Sequence, residues 1–225
     1  MKILDDNDER TIGKLNFGHP KIRPIYSFLD YKINMNIDFI PIIAIDFSLS
    51  NALDAEAKTQ FINDYIPVIN HIRHVYKDLS TYCMGFGFGA KTCPGQVRAS
   101  DFFSLSGNLF DPTIDYNKIV ECYEDINETV EKSFPVKFSP VLEHAARYAR
   151  HESENHKGRN YYNLFYLTPG VIDDAHETAD SIQEICDLPM SVNIIKLHNP
   201  NYEDTDDSNI LLNHYNDNKE NGKRC

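Results

Sequence analysis

The stretch Ile37-Asp-Phe-Ile-Pro-Ile-Ile-Ala-Ile45, which ends at Asp46, decides the fold. It is a nearly continuous apolar run, and such a run is typical of a central strand that helices cover on both faces. It is far shorter than the roughly 20 residues that a membrane-spanning helix needs. Asp46 is therefore predicted to lie at the carboxyl end of a buried strand.

Strand and helix patterns alternate along the rest of the chain. Amphipathic repeats predict helices over residues 51–77, 114–132, 139–151 and 177–187. Short apolar runs bounded by turn residues predict strands over residues 37–45, 82–88, 101–105, 161–167 and 190–197. This alternation predicts an α/β fold with a doubly wound, mostly parallel sheet flanked by helices. In such sheets, ligands bind at the carboxyl ends of the strands.

The length and composition predict a single domain with polar ends. The chain has 225 residues, of which 41% are hydrophobic and 25% charged, as in ordinary globular proteins. Residues 25–198 are predicted to form the domain. Residues 1–24 are read as an N-terminal extension, and residues 199–225 as a polar, acidic C-terminal tail.

Charge and cysteine content exclude several classes of function. The net charge of −12 disfavours binding to nucleic acid or anionic lipid, so the expected partner is a protein. The five cysteines contain no Cys-x-x-Cys pair, which argues against a zinc module or a disulfide framework. An intracellular location, in the cytoplasm or on a cytoplasmic assembly, is expected.

The turn Asp46-Phe-Ser48-Leu-Ser50 carries the clearest chemical signal. One carboxylate and two hydroxyls on a tight loop form part of an oxygen cage for Mg²⁺. The alternative is that these side chains cap the helix that follows. The sequence shows no nucleophile paired with a base, so an enzyme is not expected.

Further blocks occur in the order and spacing of the copine domain: Ser27-Phe-Leu-Asp-Tyr31, Ile43-Ala-Ile-Asp-Phe47 with Ser50-Asn51, Gly85-Phe-Gly-Phe-Gly-Ala90, Pro135, Phe138-Ser-Pro140, Leu167-Thr168, Gly170-Val-Ile172 and Leu188-Pro-Met-Ser-Val192. From about residue 25 to about residue 200, the chain resembles the von Willebrand factor A-like domain of copines. The resemblance implies a Rossmann-type fold and a non-enzymatic protein-interaction module. Residues 1–24 are too few for the calcium-dependent lipid-binding domains of that family, so direct membrane binding is not expected.

The resemblance also implies a metal-ion-dependent adhesion site at the Asp-x-Ser-x-Ser turn. In its complete form, a threonine from a second loop and an aspartate from a third loop complete the site. Here Val136 stands at the threonine position and Pro169 at the aspartate position. The site is expected to be degenerate, with no cofactor and at most weak Mg²⁺ binding. Lys137 is a candidate to place an ammonium group near Asp46 instead of a cation.

Two modes of partner binding follow from this site. In the first, apolar loops dock a subunit of a larger assembly, with Phe134, Val136, Lys137 and Pro169 as candidate contacts. The competing expectation is that Phe134 and Val136 turn inward and pack under the third helix. In the second mode, Asp46, Ser48 and Ser50 still hold a divalent cation that captures an acidic residue of the partner.

Overall fold

The computed structural model describes residues 2–4, 11–14, 25–27, 30–48, 55–155 and 159–197. The helices are α1 (Ala55–Tyr76), α2 (Ile119–Thr129), α3 (Ser139–Asn155) and α4 (Ala175–Glu184), with a π-helical turn at Asp30–Asn34. The strands are β1 (Lys2–Leu4), β2 (Thr11–Lys14), β3 (Asp38–Asp46), β4 (Cys83–Phe88), β5 (Ala90–Lys91), β6 (Phe103–Ser104), β7 (Thr113–Ile114), β8 (Glu131–Lys132), β9 (Asn160–Thr168) and β10 (Met190–Lys196).

The central sheet confirms the predicted doubly wound topology. Its strand order is β10-β9-β3-β4-β6, and β7 also pairs with β4. Strands β3, β4, β9 and β10 are parallel, whereas β6 and β7 run antiparallel to β4. Strands β1 and β2 form a separate two-stranded sheet within the predicted N-terminal extension.

Helices cover both faces of the sheet, as the apolar run of β3 predicts. Ile42 and Ala44 pack in a cluster with buried residues of α3 and α4. Ile43 and Ile45, which point to the other face, pack with buried residues of α1 and α2. In the described part of the chain, no helix is both long and apolar enough to cross a membrane.

The helix predicted over residues 114–132 is shorter in the structure. Before α2, the Asp115 carboxylate accepts a hydrogen bond from the Asn117 amide at 2.7 Å and holds a turn. After α2, Glu131 and Lys132 leave the helix because they pair with Lys91 and Ala90. The residues at both ends of the predicted helix thus form a turn and a strand instead of helical turns.

The glycines of β4 make room for neighbouring side chains. A Cβ atom at Gly85 would lie 3.1 Å from Leu105, and one at Gly87 would lie 2.8 Å from the Phe47 ring and overlap the Phe103 ring. Glycine normally weakens a strand interior. Here it allows the rings to pack directly on the strand.

We therefore expect Gly87→Ala to destabilise the domain by about 2 to 3 kcal/mol, because over-packing a rigid core forces side chains and backbone to shift. Gly95→Ala is the control, since nothing lies within 4 Å of its added Cβ and only the strain of φ +82° remains. That strain costs about 1 kcal/mol. Urea denaturation measures both, and an equal loss in the two variants would contradict this packing.

Candidate functional site

The carboxyl ends of β3 and β9 lie side by side and bring Asp46 and Thr168 together. Residues Ile45 and Leu167, one position earlier in each strand, are partners in the parallel register. Asp46 is 1% exposed, and Ser48 and Thr168 are fully buried. An aspartate this deeply buried requires hydrogen-bond donors, because desolvation strongly disfavours its charge.

The chain itself supplies these donors. The Ser48 amide donates to Oδ1 of Asp46 at 2.8 Å, and the Thr168 hydroxyl donates to Oδ2 at 2.9 Å. The Gly170 amide donates to the Thr168 hydroxyl oxygen at 3.0 Å and so fixes the direction of that hydroxyl group. Both carboxylate oxygens are thereby bonded within the protein.

Two glycines allow the loops to approach this carboxylate. Gly89 has φ +76°, and a Cβ atom there would lie 2.9 Å from Ser48 Cβ and 3.2 Å from Asp46 Oδ1. Gly170 has φ +111°, and its Cβ would lie 2.6 Å from Cε of Lys196. A larger residue at either position would strain the backbone and push the loop away.

Burial raises the pKa of Asp46 from 3.8 to about 6. Hydrogen bonds from Ser48 and Thr168 and the positive charge of Lys132 act in the opposite direction and offset part of this effect. Desolvation is thus the largest influence, and the folded protein binds a proton at Asp46 more tightly than the unfolded chain does.

A pH dependence of stability follows from this shift. Because the pKa of Asp46 is higher in the folded state, its protonation stabilises the fold below about pH 4, and this contribution is lost as the pH rises through about 6. The Asp46→Asn variant has no carboxyl group at this position, so its stability does not contain this pH-dependent contribution. The stability of the Asn variant relative to wild type should therefore increase by about 2 kcal/mol between pH 4.5 and 7.5.

Urea denaturation of both proteins at the two pH values measures this difference. The other carboxylates titrate equally in both proteins, so their contributions cancel. A difference that stays constant over this range would show that Asp46 has an ordinary pKa.

In the described residues, the surroundings of Asp46 lack two of the oxygen ligands of a complete divalent-cation site. Val136 is fully buried in the apolar core, and Pro169, also buried, offers no side-chain oxygen. Within the described ranges, no group of three or more His, Cys, Asp or Glu residues is placed to hold a metal. Ser50 lies outside the described residues. Both carboxylate oxygens of Asp46 accept hydrogen bonds from the chain, and Val136 and Pro169 add no side-chain oxygen to complete a Mg²⁺ shell.

The loop that carries Val136 is fastened to the start of α4. The Val136 amide donates to the Asp173 carboxylate at 2.6 Å, and the Asp173 amide donates to the Val136 carbonyl at 2.8 Å. The Asp174 carboxylate accepts bonds from the amides of Phe138 and Ser139, each at 2.9 Å, and from the Ser139 hydroxyl at 2.6 Å. Asp174 thus caps the start of α3 from the loop before α4.

These contacts correct part of the predicted docking surface. Val136 and Pro169 are buried, so neither is available to a partner in this conformation. Val136 turns inward because its backbone is held by Asp173 and its side chain joins the core under α3. The Lys137 ammonium lies 3.6 Å from the Asp101 carboxylate, and its role beside Asp46 stays a prediction.

Phe134 is the apolar candidate that remains at the surface, with 42% exposure. The Ala99 amide donates to its carbonyl at 3.2 Å, which ties its loop to the segment that carries Val97. Val97 is 89% exposed. Two apolar side chains therefore stand on joined loops at this end of the sheet.

Sequence reasoning missed three groups at this site: Thr168, Gly89 and Lys132. Thr168 follows directly after the apolar run of β9, as Asp46 follows that of β3, and this parallel placement is the signal that could have found it. In the sequence, Gly89 is one of three alternating glycines, and this pattern does not mark it as part of a site. Lys132 reaches the site through the pairing of β8 with β5, which no local pattern indicates.

The sequence model of the copine family matches residues 52–217, well over half of the chain. The chain belongs to the copine family. The match runs beyond the predicted domain end at residue 198 into the predicted tail. Domains of the copine type are, in general, protein-interaction modules.

Among solved structures, the chain is similar to the one described as "Crystal structure of manganese-loaded Plasmodium vivax TRAP protein". The sequence identity is 14% and the TM-score 0.45, over 73% of this chain and 60% of that one. The copine-type chain therefore spans less than two thirds of that structure.

Proposed function

We propose that this copine-type domain is a non-enzymatic protein-interaction module whose strand-end face works without a metal ion. The observation that carries the proposal is the Asp46 carboxylate, which accepts hydrogen bonds from the Ser48 amide and the Thr168 hydroxyl. These bonds, together with the nearby charge of Lys132, take the place of a cation.

Apolar contacts support the way in which the module binds. Phe134 and Val97 present exposed apolar surface on joined loops beside this face. The pair of Lys137 with Asp101 borders the same segment and offers polar contacts at the rim. An apolar centre with a polar rim is the usual composition of a lasting subunit contact. In this proposal, the partner is a protein of a larger, intracellular assembly.

The competing function is cation-dependent capture of an acidic residue, which the intact Asp46 and Ser48 would favour. A metal titration separates the two. We expect no saturable heat in isothermal titration with Mg²⁺ or Mn²⁺ at millimolar concentration, because Val136 and Pro169 replace two oxygen ligands of a complete site. The double variant Val136→Thr, Pro169→Asp restores both missing oxygens and should gain measurable affinity.

The control is the same double variant with Asp46→Asn, which should lose that gain. Saturable binding to the wild-type chain, abolished by Asp46→Asn, would favour the cation-dependent function. Melting temperatures of all variants, measured without metal, identify any substitution that simply unfolds the domain.

Replacing Phe134 with a charged residue tests the docking face. We expect Phe134→Asp to abolish co-purification of the partner from the native source, whether or not a chelator is present. Its melting temperature should change little, since a surface substitution costs within about 0.5 kcal/mol. The matched control is Phe110→Asp, because Phe110 is 99% exposed near β7, which pairs with the amino end of β4.

A photo-reactive phenylalanine analogue at position 134 or 110 identifies the contact directly. Cross-links to the partner from position 134 alone support the proposal. Equal binding by the two Asp variants, or cross-links only from position 110, would place the partner elsewhere.

A further inference from the structure

Residues 90–101 and 131–137, the paired loops, form one surface beside the carboxyl ends of β3 and β4. Strands β5 and β8 pair within this surface, so that Ala90 lies opposite Lys132. The Ala99 amide donates to the Phe134 carbonyl at 3.2 Å, and the Ser100 amide donates to the Ala90 carbonyl at 2.8 Å. These bonds fix the two loops relative to each other.

The paired loops are basic, although the chain as a whole is acidic. They have a net charge of +2 in a chain of −12, because four basic residues stand against two acidic ones: Lys91, Arg98, Lys132 and Lys137 against Asp101 and Glu131. Both carboxylates are already paired. Glu131 accepts a bond from the Lys91 ammonium at 2.6 Å, and Asp101 lies 3.6 Å from the Lys137 ammonium.

Arg98 is the cation of the paired loops that these carboxylates do not neutralise. Its side chain is exposed, and in the described part of the chain no carboxylate pairs with it. Asp173, which packs against the second loop, bonds to the Val136 amide instead. Arg98 follows directly after Val97, which is 89% exposed, and precedes Ala99, whose amide is bonded to Phe134. A positive charge thus stands beside the exposed apolar side chains.

We propose that the paired loops bind an acidic segment of the protein partner. In this segment, an Asp or Glu side chain pairs with Arg98, and a neighbouring apolar side chain packs on Phe134 and Val97. A guanidinium group binds a carboxylate through two parallel hydrogen bonds, which a neutral or basic side chain does not form. The inference rests on the proposed function, because it names the chemistry of the partner for the same face.

A protein segment fits this surface better than an extended polyanion does. Charges in water are screened beyond about 10 Å at moderate salt, so the positive area acts only near the paired loops. A nucleic acid or an anionic lipid surface would also meet the rest of the chain, which is strongly acidic. One acidic residue next to an apolar residue meets only Arg98 and its neighbours.

Selection from a random peptide library, with the full chain as bait, tests this chemistry without knowledge of the partner. We expect the enriched peptides to carry Asp or Glu beside a leucine or an aromatic residue. The affinity probe is one synthetic peptide of this class, with a copy in which Asn and Gln replace Asp and Glu. The amide copy should bind about threefold more weakly or worse.

Variants of Arg98 locate the charge that the peptide recognises. Arg98→Glu should raise the dissociation constant of the acidic peptide at least about fivefold, because an attraction becomes a repulsion. Arg98→Lys keeps the charge and should lose less. The matched control is Arg150→Glu, which makes the same change in net charge at an exposed position of α3. Melting temperatures show that each variant is folded.

Four results would overturn the proposal. The first is that no peptide is enriched by the wild-type chain over Phe134→Asp. The second is that the enriched peptides have no acidic residue. The third is that Arg98→Glu and Arg150→Glu weaken binding equally. The fourth is that peptides bind only after Glu203, Asp204, Asp206 and Asp207 are replaced by their amides, since the chain's own acidic segment would then be the occupant.

Phe134→Asp separates the failure of this inference from that of the proposed function. If this variant loses the peptides but the peptides show no acidic preference, the docking face stands and the role of Arg98 fails. If the variant binds acidic peptides as the wild-type chain does, both fail.

Discussion

Burial of the Asp46 carboxylate between two central parallel strands is the constraint on which the strand-end face depends. A carboxylate that is 1% exposed must be hydrogen-bonded or it destabilises the fold. The Ser48 amide and the Thr168 hydroxyl meet this need. The close approach of Gly89 follows from it, since a side chain there would displace the Asp46 turn.

The loops around this carboxylate are held by further bonds of the chain. Val136 occupies a core position, and Asp173 and Asp174 join its loop to the beginnings of α3 and α4. A face that is fixed in this way needs no cation to order its loops. In the proposed function, its recognition of a partner relies on shape and on exposed apolar side chains such as Phe134.

The sheet was predictable because its central strands are continuous apolar runs, and Asp46 marks the end of one of them. The directions of loop side chains were not. Val136 could point to solvent or to the core, and the bond from its amide to Asp173, 37 residues away, decides for the core. The sequence alone does not show which of the two lysines, Lys137 or Lys132, lies near Asp46. The pairing of β8 with β5 brings Lys132 there.

The central claim is that the Asp46 carboxylate is satisfied by the protein and not by a metal. The carboxyl ¹³C chemical shift of Asp46, followed by NMR over a pH titration with and without Mg²⁺, tests it most directly. We predict that this carboxyl titrates with a pKa of about 6 and that millimolar Mg²⁺ leaves the curve unchanged. A pKa that falls when Mg²⁺ is added would contradict the account, because it would show a cation bound at Asp46.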